Sequence, residues 1–74
     1  MPVHPLHEYR FTVERDDADF ILRLDGEPLG AYASQVLAEQ AAQQAADEIR
    51  PGVKLEFRPS GDILEANLIV PEAE

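Results

Sequence analysis

The side chains of this sequence that could do chemistry lie in a few places. His4, His7 and Glu8 stand near its start, and imidazole and carboxylate are ordinary zinc ligands. They sit in a lead-in interrupted by Pro2 and Pro5, with the histidines three apart, so no element fixes their geometry and they read as incidental rather than as a metal centre. If Met1 were removed, the spacing Pro2, Val3, His4 would allow copper or nickel chelation by the terminal amine, two amides and the imidazole. Pro2 also invites comparison with tautomerases, in which an amino-terminal proline acts as a general base because a secondary amine in an apolar site titrates near neutrality. Those enzymes resemble a strand running from the proline directly into a helix, whereas here Pro5 and a whole hairpin intervene. Asp16, Asp17 and Asp19 put three carboxylates in one turn, but the glycine and distal glutamate of a dedicated calcium loop are missing, and a solvated turn is expected. Ser34 and Ser60 have no histidine at a credible position to activate them, and the glycines are scattered singly rather than gathered into a phosphate loop. No catalytic residue, metal or cofactor is expected.

Composition narrows the partners. Fifteen acidic against six basic side chains give a net charge of −9, which repels phosphate backbones and anionic lipid alike. Direct nucleic-acid binding and membrane attachment are therefore not expected. There is no cysteine to form a disulfide framework, no signal-peptide core and no apolar run long enough for a membrane span, so the expected location is the cytoplasm. A chain of 74 residues holds one domain of marginal stability, to which self-association could add.

The elements that must position any site follow from periodicity. Residues 1–7 read as a loose lead-in. Tyr9, Phe11 and Val13 alternate with Arg10, Thr12 and Glu14, and after the aspartate turn Phe20, Leu22 and Leu24 alternate with Ile21, Arg23 and Asp25, which predicts an antiparallel hairpin. Asp25-Gly26 signals a second tight turn, after which Leu29, Ala31 and Ala33 could add a strand that Pro28 and Gly30 would confine to an edge. Ser34 can cap a helix over 35–50, whose buried stripe is expected to be Ala38, Ala41, Ala42, Ala45 and Ile49. Pro51-Gly52 ends it. Val53, Leu55 and Phe57 alternate with Lys54, Glu56 and Arg58, and a turn at Pro59, Ser60, Gly61 and Asp62 leads to a last strand with Leu64, Ala66, Leu68 and Val70 on one side. Residues 71–74 read as a disordered tail. The expected fold is α+β, order β-β-α-β-β: a four-stranded antiparallel sheet, five-stranded if the segment after Gly26 pairs, with one helix on one face.

The succession of hairpin, alanine-rich helix and hairpin, with Asp25-Gly26 before the helix and Ser60-Gly61-Asp62-Ile63 in the second turn, resembles a group of small uncharacterised bacterial domains over 9–65. The resemblance implies the fold and carries over no functional residue.

With one helix, the other sheet face stays open. It is expected to carry Arg10, Thr12, Ile21, Arg23, Lys54, Glu56, Arg58, Ile63, Glu65, Asn67 and Ile69, a mixture of branched apolar residues and most of the few cations. Such a face suits a non-enzymatic protein-binding or regulatory module, docking by Ile21, Arg23, Lys54, Arg58, Ile63, Glu65 and Ile69 or by an edge strand, on another protein or a second copy of itself. The bland alternative is a solvated sheet whose cross-strand charges pair. A narrower expectation is an inhibitor whose Asp16, Asp17, Asp19, Glu39, Asp47 and Glu48 stand in for phosphates in a nucleic-acid-binding site of the partner. The contrasting class is a small enzyme, with tautomerase-like chemistry at Pro2, or a small-molecule binder. Both need a concave pocket that an alanine-faced helix leaves little room for.

Overall fold

Alternation decides the strands, and two-residue turns decide how they meet. The computed structural model describes residues 6–71. In chain order these form β1 (Leu6–Asp16), β2 (Asp19–Leu24), β3 (Glu27–Tyr32), α1 (Gln35–Ile49), β4 (Arg58–Ser60) and β5 (Ile63–Pro71). The strands make one antiparallel sheet in the order β3-β2-β1-β5-β4. The fold is thus α+β with five strands, the segment after Gly26 being the fifth.

Between β2 and β3, Asp25 (φ 54°) and Gly26 (φ 88°) both occupy the left-handed region, as the turn that matches strand twist requires. The defects of β3 fall where they cost little. Pro28 lies on the sheet's outer edge beside a register shift at Leu22/Arg23. Gly30 makes room for the Tyr32 ring, since a Cβ there would stand 2.8 Å from the phenol oxygen.

The Asp25 amide donates to the Arg10 carbonyl (2.8 Å), so even-numbered β1 residues aim their backbone groups at β2 and odd-numbered ones at β5. His7, Tyr9, Phe11 and Val13 thereby bond to Val70, Leu68, Ala66 and Leu64, and odd-numbered β5 residues turn away from β1. Two expectations are corrected here. Leu6 and His7 belong to β1 rather than to a loose lead-in, and Pro71 belongs to β5. Its missing N–H lies on the side away from β1 and breaks no bond of that ladder. Pro2 and His4, together with residues 72–74 of the expected tail, lie outside the described residues.

Ser34 is extended (φ −144°) and its Oγ accepts from the Leu37 amide at 3.2 Å, which starts α1. The buried line is Ala38, Ala42 and Ala46, with Ala41, Ala45 and Ile49 only partly covered. The expected stripe missed Ala46 because packing follows the i, i+4 ridge, which slants across the helix axis. The helix lies over β1, β2 and β3, closing a core of Phe11, Val13, Leu22 and Leu68.

Residues 53–57 depart furthest from expectation. They were expected to pair as the first half of the second hairpin, but only β4 pairs with β5, from Arg58↔Glu65 to Ser60↔Ile63. Val53, Leu55 and Phe57 still pack against the core. The cause is Gln43, whose Nε2 donates to the Val53 carbonyl (2.7 Å) and whose Oε1 accepts from the Leu55 amide (2.9 Å). One carboxamide thus supplies the donor and acceptor of a strand neighbour and holds the segment beside the helix.

Candidate functional site

The face away from α1 is built by the residues that alternate with the buried ones: Arg10, Thr12 and Glu14 on β1, Ile21 and Arg23 on β2, Arg58 on β4, and Ile63, Glu65, Asn67 and Ile69 on β5. Arg10 Nε lies 2.5 Å from Glu65 Oε2, and the terminal guanidinium nitrogen of Arg23 lies 2.6 Å from Glu14 Oε1. Each pair reaches diagonally to the neighbouring strand. Exposed pairs like these contribute only about 0–1 kcal/mol, so their main effect is to fix where the charges stand. The sequence reading gave Arg23 no partner, although Glu14 shares its side of the sheet by simple alternation.

Ile21 and Ile63 are half-buried, while Ile69 is 53% exposed. Next to Ile69 on this face stands Leu6, 65% exposed, directly across from Pro71. This apolar corner was not legible while Leu6 counted as lead-in. Of the expected docking residues, Ile21, Arg23, Arg58, Ile63, Glu65 and Ile69 share this face, Ile69 standing six residues along β5 from Ile63, about 20 Å at ~3.4 Å per residue. Lys54 does not, because it belongs to the segment held by Gln43. It lines a cleft of about 380 Å³ with Glu56, Arg58, Glu65 and Asn67, between that segment and β5.

The expected acidic surface is divided. Asp16, Asp17 and Asp19 flank the β1–β2 turn, and the register Glu14↔Ile63 sets the β4–β5 turn, with Asp62, beside it. Gln35 at the start of α1 borders the same end. Asp47 and Glu48 come more than three turns later, about 18 Å along the helix at ~1.5 Å per residue. Glu39, nearer the middle, accepts from Gln35 Nε2 at 2.9 Å. Asp47 is engaged in ending the helix, its Oδ1 accepting from the Gly52 amide at 2.9 Å.

The residues considered for catalysis and metal binding are dispersed. His7 and Glu8 are consecutive on a strand and point to opposite faces. The His7 ring packs on Tyr9 with centroids 4.1 Å apart, and its Nε2 lies 3.8 Å from Asp25 Oδ2. The Ser34 hydroxyl caps the helix, and Ser60 is exposed in β4. Among the described residues no three histidine, aspartate or glutamate side chains gather as a cation site. Nor is any described helix long and apolar enough to cross a membrane. Compared with known proteins, the chain matches no protein-family model, no curated protein and no solved structure.

Gln43 is the positioning residue that periodicity hid, since it flanks the alanine line and looks like any solvated glutamine. In Gln43→Ala, the Val53 carbonyl and Leu55 amide lose their partners, at a cost of about 1–3 kcal/mol. Amide exchange should accelerate at Leu55 while Phe11 and Leu22 stay protected. Unchanged exchange at Leu55 would show that something else holds the segment.

Proposed function

We propose that this chain is a non-enzymatic protein-binding module that docks through the open face of its sheet. The observation that carries the reading is the composition of that face. Arg10 and Arg23 are fixed in place by carboxylates, and further along the same face Ile69, diagonal to Arg10, and Leu6 stay exposed, which gives an apolar corner bordered by the ordered charge of Arg10. The partner is another protein. The charge of −9 argues against nucleic acid and lipid surfaces, and the lack of cysteine is compatible with a reducing cytoplasm.

Affinity capture from host lysate with the wild-type chain and with the double variant Arg23→Glu, Ile69→Glu tests this. The wild type should retain one stoichiometric partner that the variant loses, while the unfolding midpoint moves by no more than the ~1 kcal/mol of an exposed pair. Equal retention by both removes the sheet face from consideration. Recovery of bait alone, at a dimer's mass, would make the partner a second copy.

The two neighbouring turns favour a narrower version of the same reading. Asp16, Asp17, Asp19 and Asp62 put four carboxylates at one end, where they can occupy a cationic nucleic-acid-binding site of the partner as an inhibitor. Complex formation that weakens with salt and competes with nucleic acid supports that version; indifference to both removes it.

A further inference from the structure

The cleft between β5 and residues 53–57 has two facing backbone edges without partners. On β5, pairing with β4 stops at Glu65, and beyond it the odd-numbered Asn67 and Ile69 turn their N–H and C=O groups away from β1. On the opposite wall, Gln43 bonds the backbone of Val53 and Leu55, which directs the odd-numbered residues toward the helix. Alternation along an extended chain then turns the backbone groups of Lys54 and Glu56 toward β5. Among the described residues, no hydrogen bond joins the backbone of Lys54 or Glu56 to another residue.

We propose that this cleft receives one extended segment of a partner protein, inserted as a strand between β5 and residues 53–57. An extended polypeptide is the ligand that offers donors and acceptors alternately along both of its edges, so it alone satisfies both walls. Its side chains are specified as well. The core side of the two walls is apolar, with Ala66 lining the cleft and Leu55, Phe57 and Leu68 packed into or against the core, while the solvent side carries Lys54, Glu56, Arg58, Glu65 and Asn67. The occupant therefore alternates apolar with polar residues. The cleft's own charges balance, Lys54 and Arg58 against Glu56 and Glu65, so the field of the whole chain sets the sign, and at −9 it favours basic polar positions. The inference rests on the protein-binding reading but not on the sheet face: a partner could dock on that face with the cleft left empty.

The probe is a capped peptide of alternating valine and lysine, about five residues long to span residues 66–70 at ~3.4 Å per residue. It is compared with a peptide of the same composition whose lysines are adjacent. In the free, isotope-labelled protein, the amides of Lys54, Glu56, Asn67 and Ile69 should exchange freely. The alternating peptide should shift and protect these four, and bind about tenfold more tightly than the blocked one. Asn67→Pro removes a donor on the cleft side while sparing the β1 ladder, and should weaken binding about tenfold. Should that variant fold poorly, a modified peptide gives a second test on the unaltered chain. Methylating alternate backbone nitrogens of the alternating peptide removes its donors along one edge, and binding should weaken about tenfold. Four amides already protected in the free protein, equal binding of the two peptides, or undiminished binding of the methylated peptide would each overturn the inference. None of those results touches the Arg23 and Ile69 test.

Discussion

Phe11→Ala should leave a chain that is largely unfolded at physiological temperature. Phe11 is completely buried at the middle of the central strand, with Leu24 across on one side and Ala66 on the other. Removing a buried phenyl ring costs about 3–5 kcal/mol, and more when the site cannot collapse. Here the neighbour on β5 is an alanine and the helix above presents alanines, so on those two sides no side chain can extend into the space. A domain of 74 residues has a total stability of roughly 4–11 kcal/mol at ~0.05–0.15 kcal/mol per residue. The loss is thus a large fraction of the whole. Urea unfolding followed by far-ultraviolet circular dichroism measures it, and a cost under ~1 kcal/mol would mean that the core is not centred on this ring.

Ala42→Glu should be about as severe for a different reason. Ala42 is fully buried where α1 meets the sheet, and Arg10 and Arg23 stand on the opposite sheet face, paired to other carboxylates. A charge placed there loses its water without gaining a partner, at a cost of several kcal/mol. Glutamate is a good helix former, so local propensity does not explain the loss. The same replacement at exposed Gln40 should be close to neutral, within ~0.5 kcal/mol. Equal effects at the two positions would contradict the close approach of helix and sheet.

The contrast between these positions shows what the residues disclose on their own. Alternation in β1, β2 and β5 assigned every side chain to a face, because a half-buried strand has to separate apolar from polar residues. The alanine run with Ser34 before it located α1 to within a residue. Strand order was hidden, since the pairing of Phe11 with Ala66 joins residues far apart in sequence and leaves no local mark. β3 was disguised by Pro28 and Gly30, which weaken a strand in general but are harmless at an outer edge and under a tyrosine ring. Residues 53–57 misled for the reverse reason. Their alternation is that of a strand, and it does set their burial, yet their hydrogen bonds go to a side chain. No periodicity distinguishes Gln43 from Gln44. The open face was legible as a list of residues, while its ion pairs needed register, and its apolar corner needed the knowledge that Leu6 is part of a strand.

Leu6 and Pro71 stand opposite each other at the same end of the β1–β5 ladder. Tension applied through these two residues acts along the hydrogen bonds rather than across them, and loads one pair at a time. The two central strands should therefore part like a zipper, from Leu6 toward Glu14, at low force. A handle moved to the β1–β2 turn, pulling against Pro71, would load many rungs of the same ladder together and meet much greater resistance.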